Sequence, residues 1–370
     1  MSNLPQDDEY MRQALLLAEK GRFTTQPNPR VGCVIVKEGK VIAEGWHRKA
    51  GEPHAEINAL AQINFEATGA TAYVTLEPCS HFAKTPPCVN SLIKANITRV
   101  VVAMQDPNPQ VSGRGIQALR DAGIEVDVGL MQKQAQLLNK GFCHRMITGR
   151  PRVFSKIAMS LDGRTAMESG ESQWITGTES RLDVHQLRAE SGVVLTGIGT
   201  VLADDPTLNA RDGFGKPLGC QPLRVILDSH LKTPINARML SVPGECVILT
   251  CNDDKTKQFA LKKSGFVVQL LPSTEQGQLD LQAVVDWLGS KEINDVMVEA
   301  GSVLNGALLE SNLLDELIIY IAPIILGDKG RGVFHMPALN KLAECPQFVI
   351  NKIQSLGTDI KMNYDMPKEG

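Results

Sequence analysis

A histidine and a carboxylate two positions apart, in His54-Ala55-Glu56, stand upstream of two cysteines, Cys79 and Cys88, each preceded by proline. One imidazole and two thiolates make three protein ligands for a zinc ion, the number that keeps a fourth position for water; a structural site uses four. A neutral histidine and two thiolates cancel the charge of the ion. Its water is then activated less than at an all-histidine site, so a nearby base must compensate. Glu56 could take a proton from that water and hand it to a leaving amine. The chemistry this spells is hydrolytic removal of an amino group from an amidine-like ring carbon. Each part alone says little: an isolated Glu is usually a solvated helix residue, and a cysteine pair at this spacing is weak. His81 could compete as a ligand but falls between the cysteines and reads as a loop residue.

The elements that must position these groups follow from periodicity. Residues 8–20 have helical spacing, with Met11, Leu15 and Ala18 on one face. VGCVIVKEGKVIAEGWH reads as two strands about a turn at Lys37 to Lys40. A helix is expected from Pro53, putting His54 and Glu56 in its first turn. TAYVTLEP is a strand delivering Cys79, and PPCVNSLIKANI a helix opening at Cys88, where the partial positive charge favours thiolate. RVVVAMQ, GRGIQALRDAG and IEVDVGL continue as strand, helix ending on Gly123, and strand, with a polar helix from about Met131. A hairpin followed by alternating strands and helices implies one mixed sheet covered by helices.

The pattern restarts near TGRPRV, so we divide the chain into domains 1–147 and 148–370. Strands VFSKIAMS, GVVLTGI, LRVILDS, ECVILT, FVVQLL, DVMVEA and ELIIYIAPI alternate with helical stretches, and the chain closes on two strand-like runs about a glycine. This half has no complete G-x-G-x-x-G fingerprint. Gly197-Ile-Gly199 reads as an ordinary turn. In VMVEAGSVLNGALL a buried strand runs through a Gly into a helix, where backbone amides could hold a pyrophosphate.

Bulk properties narrow the function further. The 370 residues are 43% hydrophobic with a net charge of -3, which argues against a polyanion as main partner. The low aromatic share argues against a base-stacking surface. No apolar run approaches ~20 residues, so no membrane span is expected. The acidic start, MSNLPQDDEY, is unlike a leader, which points to the cytoplasm. Eight irregularly spaced cysteines do not form a disulfide framework. Cys33, Cys143, Cys220, Cys246, Cys251 and Cys345 read as small buried hydrophobes.

The zinc residues together resemble the nucleobase-deaminase signature H-x-E followed by P-C-x-x-C, with eight residues rather than two between the cysteines. The longer set resembles the bifunctional riboflavin-biosynthesis deaminase/reductase family over nearly the whole chain. It comprises a PNPxVG turn at Pro27 to Gly32, the HAE triplet, LEPCSH…TPPC from Leu76 to Cys88, and DPNP…GRG from Asp106 to Gly115. KIAMSLDGRTA, GESQWITG, TGIGTVLADDPTLNAR and VEAGSVLNGALL extend it. The resemblance implies a cytidine-deaminase-like α/β/α domain followed by a dihydrofolate-reductase-like α/β domain. It implies one zinc on His54, Cys79 and Cys88, with Glu56 as catalytic proton carrier, and substrate at Asn28, His47 and Lys84. Read unaided, Asn28 is a turn residue, and His47 and Lys84 are solvated loop residues. Ala83 stands where the family usually has Gly, which bears on the aim of Lys84.

For the second half the resemblance implies NADPH near Ala158, Trp174, Thr200, Asp204 and the run Gly301, Ser302, Val303, Leu304, Asn305, Gly306, Ala307. Substrate would meet Lys156, Ser172, Arg188, Leu208, Arg211 and Glu299. Unaided, Ala158 is a packed strand end, Trp174 a half-buried aromatic, and Lys156 and the two arginines solvated charges. Asp204 and Asp205 before Pro206 read as a turn cap. A sugar phosphate does, however, need such groups, and arginine presents planar donors to phosphate. The implied reactions are deamination of 2,5-diamino-6-(5-phosphoribosylamino)pyrimidin-4-one, then reduction of its ribosyl group to ribityl. No acid for the second step is evident. The implied partner is this small molecule, with the chain a homo-oligomer, dimer or tetramer. Two rivals are a transfer-RNA adenosine deaminase, disfavoured by charge and the long inter-cysteine loop, and a zinc-stabilised binding module, which needs four ligands.

Overall fold

The computed structural model describes residues 5–80, 87–109 and 111–367. His81, Ala83 and Lys84 therefore lie outside the described residues. The chain divides into two compact units, Met1–Gly149 and Arg150–Gly370.

The first unit runs α1 (Pro5–Glu19), β1 (Gly32–Lys37), β2 (Lys40–Trp46), α2 (Ala55–Leu60), β3 (Thr71–Val74), α3 (Cys88–Lys94), β4 (Arg99–Val102), α4 (Arg114–Asp121), β5 (Glu125–Val128), α5 (Gln132–Leu138) and α6 (Lys140–Thr148). Its sheet has the order β2-β1-β3-β4-β5. β1 is antiparallel to both neighbours, and β3, β4 and β5 are parallel. Alternation sends Cys33 and Ile35 toward α2, α3 and α4, and Val34 and Val36 toward α1 and α5. The result is an α/β/α sandwich. The expected face of α1 is the buried one, widened by Ala14 and Leu17. Arg99 ties α1 down by donating to Asp7 at 2.9 Å and to Asp127 on β5 at 2.7 Å.

The second unit runs β6 (Arg152–Ser160), β7 (Arg164–Ala166), α7 (Thr178–Glu190), β8 (Val193–Gly197), α8 (Ile198–Asp204), β9 (Leu223–Leu227), β10 (Cys246–Thr250), α9 (Lys255–Ser264), β11 (Val267–Leu270), α10 (Leu281–Ser290), β12 (Asp295–Val298), α11 (Ser302–Glu310), β13 (Glu316–Ala322), β14 (Arg331–Gly332), β15 (Val349–Leu356) and β16 (Asp359–Asp365). Nine strands pair in the order β11-β10-β9-β8-β12-β6-β13-β16-β15, parallel throughout except β16 against both neighbours. One face packs on α10 and α11, the other on α7, α8 and α9. That double cover explains why these strands read as continuous apolar runs.

Chain order reverses around β12, and in open α/β sheets ligands bind at the carboxyl ends of strands at such a point. Gly197-Ile-Gly199 is not a turn: Gly197 ends β8 and caps α8 directly. Gly301 likewise heads α11 after β12. The two junctions adjoin, since a side chain at Gly197 would meet Leu304 at 3.6 Å.

Candidate active sites

In the first unit α2 begins one residue after His54, which serves as its N-cap in extended conformation. The helix lies hard against β2 because residue 45 is glycine: a Cβ there would fall 2.1 Å from the Ala55 carbonyl oxygen. Pro78 then brings Cys79 off the end of β3. Cys88 opens α3, and its backbone N–H donates to Cys79 Sγ at 3.3 Å. His54 Nδ1 lies 3.5 Å from Cys79 Sγ and 3.3 Å from Cys88 Sγ. Zinc bonds of about 2.05 Å to nitrogen and about 2.3 Å to sulfur at the tetrahedral angle put those ligands about 3.6 Å apart. The donors fit zinc in kind and in spacing. Among the described residues this group has three ligands, one fewer than a purely structural site takes.

Charge distribution supports the same reading. A hydrogen bond from Cys88 is the main cause holding the Cys79 thiol down to about 4, and the same contact raises Cys88. Of the pair, Cys79 is thus the one on which thiolate is favoured. Glu56, only 3% exposed, is pushed up to about 7 by burial and then by Cys79. A carboxyl that holds its proton near neutrality is suited to receive and return one.

His47 and Asn28 join this site. His47 is 2% exposed, not the solvated loop residue its surroundings suggested. Its ring stands edge-on to His54, with centroids 5.4 Å apart. Nδ1 lies 3.2 Å from the Pro53 carbonyl and Nε2 lies 3.1 Å from Asn28 Nδ2. A carbonyl only accepts, so the proton is assigned to Nδ1 and Nε2 accepts from Asn28. Burial lowers the pKa of this ring, in keeping with a neutral tautomer. Asn139, which the sequence did not single out, clamps the Asn28 turn by exchanging two hydrogen bonds with the backbone of Arg30 at 2.8 and 2.9 Å.

In the second unit Glu299, just beyond β12, gathers residues from distant elements. Its carboxylate accepts from Arg188 Nε at 2.5 Å and Nη2 at 2.9 Å, and Lys156 Nζ lies 3.3 Å away. Burial pushes this carboxyl up, but Arg188 and then Lys156 outweigh it and hold it down to about 2. Lys156 and Arg188 are thus half-buried partners of a buried carboxylate rather than solvated charges. Arg188 also donates to the Asn209 carbonyl at 3.1 Å, so its planar face is already committed within the protein. Arg211 differs. Its Nε is buried with no hydrogen-bond partner. Burial, then Arg188 and Arg238, push its guanidinium down.

Other expected positions fare unevenly. Leu208 is 3% exposed within the core and has φ +51°, so only its backbone could meet a ligand. Trp174 is 69% exposed rather than half-buried, with Arg181 4.9 Å from its ring centre. Ala158 lies within β6, Thr200 in α8, Asp204 at the exposed end of α8, and Ser172 in the loop before α7. Asp205, in left-handed conformation, ends that helix and accepts from Arg238 N at 2.8 Å. Within the Gly301 run, Asn305 is spent on Ser155 at 2.8 Å and the Ala300 carbonyl at 3.2 Å. Gly306 packs on the His335 backbone. The first turn of α11 is less enclosed, with Val303 exposed. Of the six other cysteines, Cys33 and Cys246 are buried and the rest half-buried; all are free thiols.

His185, one turn before Arg188 on α7, also belongs to the cluster, and the i, i+3 spacing was its only advance signal. Burial, then Arg188 and Arg211, push its imidazole down to about 4 against weaker support from Glu299 and Asn209. Unfolded histidine titrates near ~6.5. Over the interval between, the unfolded chain takes up a proton that the folded one refuses, so stability falls as pH falls. His185→Gln should lose less stability than the parent between pH values of roughly 7 and 5. Urea midpoints at the two pH values check this; parallel losses would disprove it.

Two family models match the chain: "RibD C-terminal domain" over residues 151–362, and "Cytidine and deoxycytidylate deaminase zinc-binding region" over residues 4–104. The "Riboflavin biosynthesis protein RibD" of Escherichia coli is 50% identical, covering 96% of this chain and 98% of that protein. The chain belongs to the RibD family. The solved Acinetobacter baumannii RibD, 43% identical, superposes with a TM-score of 0.89 over 99% of this chain and all of that one. A Thermotoga maritima structure described as a "diaminohydroxyphosphoribosylaminopyrimidine deaminase/ 5-amino-6-(5-phosphoribosylamino)uracil reductase" is 32% identical, with a TM-score of 0.85 over 98% and 99% of the two chains. As a RibD family member the chain is a deaminase and reductase of riboflavin biosynthesis. Its cytidine-deaminase-like zinc-binding domain precedes a dihydrofolate-reductase-like RibD reductase domain. No helix among the described residues is long and apolar enough to cross a membrane.

Proposed function

We propose that residues 1–147 deaminate 2,5-diamino-6-(5-phosphoribosylamino)pyrimidin-4-one, and that residues 148–370 then reduce its ribosyl group with NADPH to give 5-amino-6-(5-phosphoribitylamino)uracil. The observation that carries the first half is the convergence of His54 Nδ1 and two thiols at zinc-ligand spacing beside a buried carboxyl. Zinc, when bound by His54, Cys79 and Cys88, supplies Lewis acidity toward water. Glu56 carries the proton between the attacking water and the leaving amine. Asn28 and His47 hold the ring, and Lys84 is assigned to the substrate by resemblance alone.

In the second domain NADPH, when bound, supplies hydride to the anomeric carbon. The backbone amides of Gly301 and of the first turn of α11, Ser302 to Leu304, are assigned to its pyrophosphate. Glu299, whose carboxylate is held by Arg188 and Lys156, is assigned to orienting those two side chains. The substrate phosphate is best met by Arg211, whose buried Nε has no hydrogen-bond partner and whose charge is opposed by Arg188 and Arg238. Losing one charge-assisted bond of about 1.5–3 kcal/mol should make Arg211→Ala raise the reductase KM roughly 10- to 100-fold. A dephosphorylated substrate should show a smaller change; an equal rise for both would remove Arg211 from the phosphate.

The deciding experiment is a metal assay coupled to ammonia release from the diaminopyrimidinone phosphate, with and without NADPH. One zinc per chain, ammonia without NADPH, and NADPH oxidation only after deamination are expected. Ammonia release by metal-free protein, or only when NADPH is present, would overturn the reading.

A further inference from the structure

Glu77 is 3% exposed and precedes the Pro78-Cys79 pair. Both its oxygens accept twice from backbone: Oε2 from Asp106 N at 3.0 Å and Gly113 N at 2.9 Å, Oε1 from Gly115 N at 2.8 Å and Ile116 N at 3.2 Å. Asp106, Gly113 and Gly115 belong to the DPNP…GRG segment and Ile116 follows it directly; none of the chemistry above uses them. Two of them are first-turn amides of α4, whose own N-cap, Gly113, has no side chain to serve them. The Glu77 backbone N–H meanwhile donates to the Met104 carbonyl past the end of β4 at 3.0 Å. Residue 115 must be glycine for this docking, because a Cβ there would stand 2.1 Å from the Pro78 carbonyl oxygen. Backbone on both sides of residue 77 is therefore pinned, and the fixed φ of Pro78 leaves little freedom before the Cys79 thiol.

We infer that Glu77, docked on the backbone of Asp106, Gly113, Gly115 and Ile116, is a positioning device for Cys79, setting where its sulfur meets the metal. The carboxylate reaches the ion only through the chain it holds, so Glu77 is a positioning residue and not a ligand. Glutamine keeps its size but replaces one acceptor oxygen by an NH₂ that faces two N–H donors. The inference rests on Cys79 being a zinc ligand, and the experiment separates the two ideas.

In the full-length chain, zinc affinity is measured by competition with a chromophoric chelator, and the visible spectrum is recorded after cobalt(II) substitution. Outer partners of metal ligands typically govern affinity by about 10- to 100-fold. Glu77→Gln should weaken zinc by about 10-fold or more and shift the thiolate-to-cobalt band, with reductase activity retained as proof of a folded chain. Gly115→Ala, which pushes on the Pro78 carbonyl from outside, should do the same and carries the test if Glu77→Gln does not fold. A wild-type chain without stoichiometric zinc, or a Cys79→Ala chain that keeps wild-type affinity, sinks the ligand assignment. Wild-type affinity and an unshifted cobalt spectrum in the variants, with Cys79→Ala metal-poor, sink the positioning role alone.

Discussion

Glu56→Gln leaves the metal in place and the reductase running while deamination falls by about 10²- to 10⁴-fold, the contribution of one well-placed proton carrier. The amide preserves the shape of a buried side chain but can no longer accept and return a proton. Glu56 does not belong to the His54, Cys79 and Cys88 group, so zinc content should match the parent. Reduction of pre-deaminated substrate should also match it, because the reductase residues lie in the other compact unit. Separate assays of ammonia, NADPH oxidation and zinc check the three parts. If both activities fell together in a folded, zinc-loaded chain, the assignment of two independent sites would fail.

Arg188→Ala is expected to destabilise the second unit by about 3 kcal/mol, the low end for breaking a buried pair because Lys156 still partners Glu299. The cost comes from the carboxylate left behind. Arg188→Met with Glu299→Leu should therefore recover much of the lost stability without recovering activity. In both variants deamination persists and reduction is lost or severely weakened. Urea unfolding together with the two activity assays provides the check. A single variant as stable as the parent would show that Glu299 is not held by Arg188, and lost deamination with intact reduction would reverse the assignment.

The two sites differed in how far they could be read from the chain. The metal ligands were legible because each sits at the edge of an element: His54 before α2, Cys79 after β3, Cys88 at the head of α3. Local spacing there nearly determines geometry. Lys156, Arg188, Arg211 and Glu299 come from a strand, a helix, a loop and a second strand end, and crossovers of a parallel sheet bring them together. Ion pairing across elements has no local period, so Lys156 and the two arginines read as solvated charges, and Glu299 carried no readable chemistry, until the fold brought them together. His47 was misread for a related reason. Its burial depends on α2 and the Asn28 turn closing over it, and neither leaves a mark at residue 47. The strands themselves were easy, since double burial writes itself as continuous apolar runs. The short pair β7 and β14 has no such mark and was missed.

The neutral His47 ring has one more consequence, which concerns direction. Because the Pro53 oxygen fixes which ring nitrogen is protonated, the ring in turn fixes which way round the Asn28 amide sits. A three-member relay thus gives these residues a built-in polarity, with the asparagine NH₂ turned to the ring and its oxygen turned away. Under the role proposed for Asn28, a heterocycle edge offering N–H to that oxygen would be favoured over one turned to present a lone pair.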